Sequence, residues 1–128
     1  MEVIVRIPGA PDPVGPYSPV VRSGGFVFCA GQIALDPETG KLVPGGIEEQ
    51  AERVLQNLSA VLRGAGTGWG KVCMTSVFLT DLSHGAVVNR LYERYLDGGH
   101  LPARQTIGVK ELPLGALVEI SLIAEAES

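Results

Sequence analysis

Hydrophobic residues recur along this chain at two spacings, and the spacing separates helices from strands. Apolar side chains three or four positions apart share one face of a helix, and this pattern runs from Ile47 to about Arg63. Gly64 then supplies a C-terminal stop. A second helical pattern follows Ser83, which we expect to be its N-cap, and ends near Leu96. The pattern therefore predicts two amphipathic helices.

Short runs of β-branched and aromatic residues between turn-forming residues predict strands. These runs cover 3–7, 20–22, 26–30, 72–80, 102–109 and 116–124. The second and third flank Ser23-Gly24-Gly25, which predicts a hairpin. Each strand–helix–strand step implies a right-handed crossover, which places both helices on one side of a single mixed sheet. We therefore expect one α+β domain over residues 1–128, with two layers and its two helices on one face of the sheet.

The strands carry more apolar residues than one covered face needs. Two helices cover only one face of a sheet, so positions on the other face should be polar. Yet the segments 26–30, 77–79 and 122–124 are apolar at both odd and even positions. A second copy of the chain is the simplest cover, which predicts a cyclic homo-oligomer with ligand sites in the clefts between copies.

Composition narrows the functional class. The chain has 128 residues, 45% of them hydrophobic and 19% charged, which fits one folded domain. A net charge of −4 argues against nucleic-acid or anionic-membrane partners. Neither a signal peptide nor a membrane-spanning run is visible, so we expect a soluble cytoplasmic protein. Cys29 and Cys73 lie far apart in apolar runs, which predicts buried, reduced thiols.

Arg104 is the first candidate for chemistry. It follows Pro102 at the start of a predicted strand, beside the loop 97–101. A guanidinium matches a carboxylate because its two parallel N–H groups meet two oxygens, so Arg104 could anchor a small carboxylate ligand. It could equally be an ordinary strand arginine paired with an acid of the chain, and this stretch alone favours that second interpretation.

Glu119 is the second candidate, because it is the one acid inside the last predicted strand. It is either structural, paired with Arg104 or Arg22, or an acid/base group at an interface, and the sequence leaves both interpretations open. Tyr17 lies between prolines that stiffen its loop, so it either offers a preset hydroxyl to a ligand or merely covers the edge of the core. Gly31 follows a strand where a ligand or backbone could approach closely.

Motifs along nearly the whole chain together resemble the Rid (YjgF-type) family of reactive-intermediate deaminases, which act on enamines and imines. In chain order they are Gly15-Pro16-Tyr17-Ser18, Gly31-Gln32-Ile33, Asp36-Pro37, Thr39-Gly40, Gln50, Asn57-Leu58, Val88-Asn89, Tyr92, Pro102-Ala103-Arg104, Leu112-Pro113 and Val118-Glu119-Ile120. The resemblance implies a chorismate-mutase-like fold, a homotrimer with inter-subunit clefts, and no metal or cofactor. It also implies hydrolysis of 2-aminoacrylate or 2-iminobutanoate to a 2-oxo acid and ammonia.

The resemblance also implies a set of site residues. Arg104 and Glu119 would be catalytic: Arg104 would clamp the substrate carboxylate, and Glu119 would position or deprotonate the attacking water. The substrate-binding set that it implies consists of Arg104 together with Tyr17, Ala30, Gly31, Asn89 and Thr106. Tyr17 would wall the pocket, while the Gly31 backbone and Asn89 would complete the hydrogen-bonding shell.

Two positions depart from the family pattern. Ala30 stands where deaminating members commonly carry serine, and Gln105 where they often carry serine or threonine. These changes leave the substrate range open and keep two alternatives in view. One is a non-catalytic trimer that senses small 2-oxo acids. The other is the ribonuclease or translation-inhibitor activity of some relatives, against which the acidic charge balance argues.

Overall fold

The computed structural model describes residues 1–127 as a mixed six-stranded sheet with two α-helices against it. The strands are β1 (Glu2–Ile4), β2 (Val20–Ser23), β3 (Phe26–Gln32), β4 (Val72–Leu79), β5 (Ala103–Gly108) and β6 (Val118–Glu125). The helices are α1 (Ile47–Gly64) and α2 (Gly85–Tyr95). The predicted α+β class and the predicted order of elements are confirmed.

The sheet has the strand order β1-β2-β3-β6-β4-β5, so the last strand of the chain lies near its centre. β4 and β5 run parallel, as a strand–helix–strand crossover requires, while β6 pairs antiparallel with β3 on one side and with β4 on the other. β5, which carries Arg104, therefore lies at the edge of the sheet.

The core lies between the helices and one face of the sheet. In β6 the even-numbered residues from Val118 to Ala124 are buried, whereas Glu119, Ser121 and Ile123 are only half-buried. Successive side chains of a strand point to opposite faces, so the even positions of β6 face the helices and Glu119 faces the other side. We call this other side the open face.

The open face remains partly apolar, as the sequence predicted. Phe26 and Phe28 of β3 and Ile107 of β5 are each more than 40% exposed. A polar row of Ser121, Ser76 and Gln105 crosses the same face. Large exposed aromatic side chains on a sheet favour a covering partner. The homotrimer itself stays a prediction.

The predicted cap of α2 was wrong, and a different residue caps each helical segment. Ser83 does not cap α2: Asp81 Oδ1 accepts a hydrogen bond from Ser83 N at 2.9 Å and starts a 3-10 turn that leads into the helix. This bond and that from the Ser83 hydroxyl hold the pKa of Asp81 below its usual range. In α1, Glu49 bonds Gly46 N at 2.7 Å, so it caps the helix and does not pair with Arg53.

The two cysteines differ in exposure. Cys29 is buried, and burial raises the pKa of its thiol to about 12, so it stays protonated and unreactive. Cys73 is only half-buried, which corrects the prediction of two buried thiols.

Within residues 1–127, no helix combines the length and the apolar character that crossing a membrane requires.

Candidate functional site

Arg104 points toward α2 from the edge strand. Its register partner in β4 is Thr75, a buried residue whose hydroxyl bonds Tyr92 of α2, so both side chains lie on the helix side of the sheet. Arg104 Nη1 donates to Asn89 Oδ1 at 2.8 Å, and the guanidinium carbon lies 5.2 Å from the centre of the Tyr92 ring. The helix therefore holds the guanidinium by a neutral amide and an aromatic face.

A hollow of about 330 Å³ opens beside this guanidinium, with Leu101 and Pro102 on its strand side and Glu93 at its helix side. The one side-chain hydrogen bond of Arg104 within residues 1–127 goes to an amide, so the interpretation of Arg104 as an ordinary ion-paired strand residue is wrong. Its positive charge and its remaining N–H donors are directed at exposed space. The forked guanidinium group suits a carboxylate of a ligand that would bind from outside the chain.

Glu119 lies in a separate cavity on the open face. Its register partner in β4 is Phe78, three positions beyond Thr75, which places it on the face opposite to Arg104. The cavity has a volume of about 240 Å³, and Tyr17, Ala30 and Gly31 also line it. Burial raises the pKa of the Glu119 carboxyl. Neither proposed cation neutralises it, because Arg22 pairs with Glu2 and Arg104 bonds Asn89.

The lack of a side chain at Gly31 leaves room for the Glu119 carboxyl group. The pairing of β3 with β6 shifts register between Cys29 and Gln32, so Gly31 lies in a bulge beneath the carboxyl group. A Cβ atom on Gly31 would lie 2.8 Å from Glu119 Cδ, closer than van der Waals contact allows. Glycine is needed here for space and not for an unusual backbone angle, because its φ is not positive.

Tyr17 forms the outer wall of the same cavity. Its hydroxyl oxygen accepts a hydrogen bond from Val14 N at 3.3 Å, which fastens the ring to the proline-rich loop before it. The side chain is 45% exposed, so its hydroxyl can still donate to a ligand. Tyr17 is therefore part of a cavity wall and not a cover on the core.

The predicted site residues thus fall into two half-sites on opposite faces of one sheet. The acid half-site contains Tyr17, Ala30, Gly31 and Glu119. The arginine half-site contains Asn89 and Arg104. Thr106 is exposed in β5, on the same side as Arg104, and lines neither cavity. Within a single chain, the two half-sites therefore do not meet.

The sequence and fold were compared with known proteins. The family model "Endoribonuclease L-PSP" matches residues 8–126. A RutC family protein of Synechocystis is 48% identical over 122 residues, 94% of each chain. The 2-iminobutanoate/2-iminopropanoate deaminase of Mus musculus is 40% identical over 94% of this chain and 89% of its own. The solved structure of the Rid family protein YyfA from Yersinia pestis superposes with a TM-score of 0.92, at 41% identity over 96% of this chain and 98% of that one.

This chain belongs to the Rid family. The resemblance drawn from the sequence motifs is therefore confirmed, and the family includes named imine deaminases such as the mouse protein. In this Rid protein, the two departures from the family pattern lie at different places. Ala30 lines the acid half-site, whereas Gln105 lies on the open face and donates to Ser76 Oγ at 3.0 Å.

The sequence did not identify two parts of this Rid site. Tyr92 was among the family motifs but not among the predicted site residues, yet it lies under Arg104. Its position three residues after Asn89, one helical turn away, was the available signal. The segment 11–14 was read as a loop, but it forms one wall of the acid half-site. Loop paths depend on tertiary contacts, so no periodic pattern reveals such a wall.

Gly31→Ala tests the close packing of Glu119. The added methyl group would force the carboxyl away, and a displacement of about 1 Å costs on the order of a hundredfold in rate when the group is catalytic. We expect steady-state kinetics to show a lower kcat, with imine supplied as described below. The matched control is Gly68→Ala, because a Cβ on Gly68 meets nothing within 4 Å. Equal activity in the two variants would contradict the placement of Glu119 over Gly31.

Proposed function

We propose that this protein hydrolyses 2-imino acids and their enamine tautomers, such as 2-iminobutanoate and 2-aminoacrylate, to 2-oxo acids and ammonia. The observation that carries the proposal is the bonding of Arg104: within residues 1–127 its guanidinium bonds the amide of Asn89 and no acid, although Glu93 lines the hollow that it faces. A small substrate carboxylate supplies the missing anion. The deaminase names of its relatives support the same chemistry.

The reaction needs one group that accepts and returns a proton. Water attacks the electrophilic imine carbon, and Glu119 takes a proton from that water as the C–O bond forms. With the imine in its protonated form, this attack gives a neutral carbinolamine, which receives that proton on nitrogen. Its C–N bond then breaks, ammonia leaves, and the hydroxyl gives its own proton to the Glu119 carboxylate as it becomes the carbonyl of the 2-oxo acid. Burial raises the pKa of Glu119, which brings it nearer to the range in which one carboxyl can act as base and then acid.

We infer that a neighbouring copy completes the site. Arg104 and Glu119 lie on opposite faces of the sheet, so one substrate cannot meet both within a chain. The exposed Phe26, Phe28 and Ile107 supply an apolar surface for a second copy. In the proposed homotrimer, Arg104 of one copy and Glu119 of the next would line the same inter-subunit cleft.

Mixing two inactive variants tests this arrangement. Arg104→Ala and Glu119→Gln chains are unfolded and refolded together in equal amounts, so that the copies assort at random. A cleft is intact only where an Arg104-bearing chain meets a Glu119-bearing chain, which gives about one quarter of wild-type activity in any cyclic oligomer. Sedimentation equilibrium gives the number of copies. Refolded mixtures as inactive as the separate variants would show that both residues act from one chain.

A trapping assay tests the activity itself. A pyridoxal-phosphate-dependent dehydratase generates 2-iminobutanoate in the presence of semicarbazide, which forms a semicarbazone that absorbs in the ultraviolet. We expect added wild-type protein to suppress semicarbazone formation in proportion to its concentration. Heat-denatured protein is the control. Equal traces with and without the native protein would refute the deaminase proposal.

A second candidate function rests on the same guanidinium. A trimer that binds a 2-oxo acid without turnover would use Arg104 in the same way and would not need Glu119. Calorimetry with 2-oxobutanoate separates the two functions: a sensor binds it and fails the trapping assay, whereas a deaminase passes that assay. The acidic net charge of −4 continues to argue against the ribonuclease alternative.

A further inference from the structure

A pair of buried hydroxyl groups lies beneath Arg104. Tyr92 is only 4% exposed and Thr75 is fully buried, and their oxygens lie 2.8 Å apart. Thr75 belongs to β4, the neighbour of the edge strand β5, whereas Tyr92 belongs to α2, so this bond ties the helix to the sheet. Polar groups so deeply buried need a partner, and each of these hydroxyls has the other.

The ring of Tyr92 supports the guanidinium. Arg104 Cζ lies 5.2 Å from the ring centroid, within the range of a cation–π contact. Asn89, one helical turn before Tyr92, accepts a hydrogen bond from Nη1 at 2.8 Å. The face of the ring and the amide oxygen thus restrict the guanidinium from two directions. A free arginine side chain would lose its rotamer entropy only when the ligand binds.

We propose that Tyr92, held in place by Thr75, is a positioning residue that presets the Arg104 guanidinium for a ligand carboxylate. The inference rests on the proposed role of Arg104 as the carboxylate receptor, and it adds the residues that orient it. Tyr92 also lines the hollow beside Arg104, and its proposed role is to act on the ligand through the guanidinium.

The chemistry of the tyrosine fits this role. Burial raises the pKa of Tyr92 further than the bond to Thr75 and the charge of Arg104 lower it, so the phenol stays neutral and keeps its hydrogen. A neutral phenol can exchange a hydrogen bond with Thr75 while its ring face attracts the cation. The ring, and not the hydroxyl, contacts the guanidinium, so the two can be removed separately.

A double-mutant cycle tests the proposal, with 2-oxobutanoate as the probe. Dissociation constants are measured by NMR titration for wild type, Tyr92→Leu, Arg104→Ala and the double variant, with thermal unfolding as the check on folding. Loss of a cation–π support should weaken binding about three- to thirtyfold in the wild-type background. In the Arg104→Ala background the same change should weaken binding less than about twofold, because the supported cation is absent.

The outcomes separate positioning from structure. Equal weakening in both backgrounds would show that Tyr92 merely stabilises the fold, and no weakening in either would also overturn the proposal. Wild-type protein that does not bind 2-oxobutanoate overturns it as well. Wild-type protein that binds 2-oxobutanoate but fails the trapping assay refutes the deaminase function alone, and the cycle then still decides the role of Tyr92.

Two further measurements apply if Tyr92→Leu does not fold. Tyr92→Phe keeps the ring and Thr75→Val removes its hydroxyl partner, so each should weaken binding less than about threefold. In wild type, the ring current of Tyr92 should shift the guanidinium protons of Arg104 upfield of those of Arg90, which pairs with Glu48 at the surface. Absence of that shift would overturn the proposal without any variant at position 92.

Discussion

Arg104→Ala is expected to lower kcat/KM for 2-iminobutanoate by at least about a hundredfold, since the charge pair with the substrate would be desolvated in the proposed inter-subunit cleft and such a pair costs several kcal/mol to break. The alanine variant retains most of the hollow's lining but loses the cation proposed to hold the substrate carboxylate. In the trapping assay, the variant should leave semicarbazone formation close to the rate without protein. Initial rates at several dehydratase levels measure the effect.

Two controls make this result specific. Arg90→Ala removes another arginine of similar exposure, whose partner is Glu48 at 2.9 Å, and it should retain wild-type activity. Arg104→Lys keeps the charge but loses the planar fork, so it should recover part of the activity through a weaker, single contact. An Arg104→Ala protein that suppresses the semicarbazone as well as wild type would contradict the role of Arg104.

Glu119→Gln is expected to lower kcat by about 10²- to 10⁴-fold, the usual contribution of a positioned acid/base group. The amide has nearly the shape of the carboxyl and fits over Gly31, but it cannot take a proton from water. Because the proposed contact of Arg104 with the substrate carboxylate is retained, KM should change little. Single-turnover and steady-state rates on the folded variant separate the effect on kcat from the effect on KM. A variant that raises KM and spares kcat would show that Glu119 binds and does not catalyse.

The pKa of Glu119 gives this prediction a pH dependence. Burial raises the pKa, so wild-type kcat/KM should fall on acidification at a higher pH than a solvated glutamate would produce, whereas Glu119→Gln should show no such limb. A carboxyl whose pKa is higher in the folded state than in the unfolded state stabilises the fold at pH values below its unfolded-state pKa. That stabilisation is lost as the pH rises through the folded-state pKa. Glu119→Gln should therefore melt above wild type at neutral pH, and the difference should shrink in acid.

The sequence predicted the elements of this fold because their patterns are local. The apolar spacing of α1 and the glycines between β2 and β3 each indicate one element within a short window. The predicted start of α2 was wrong because Asp81 and Ser83 are both good capping residues, and only the path of the backbone decides which of them caps. The central place of β6 had no local signal, since strand order depends on pairings far apart in the chain.

The site was predicted as a set of residues but not as an arrangement. Motif resemblance selected seven residues, of which Tyr17, Ala30, Gly31 and Glu119 line one cavity, Asn89 and Arg104 line another, and Thr106 lines neither. Which face each one occupies follows from the pairings of β4 with β5 and with β6. Register is a tertiary property, so the separation of the two half-sites could not be predicted from the chain alone.

The register of β4 has a consequence for how activity would arise in the cell. Thr75 and Phe78 are an odd number of positions apart in β4, so they face opposite sides of the sheet. Their register partners, Arg104 and Glu119, therefore also point to opposite sides. A newly made or diluted chain would carry both reactive groups and still be inert toward an imine. In the proposed oligomeric deaminase, turnover would begin only when copies meet, which would make the abundance of the protein itself a control on its output.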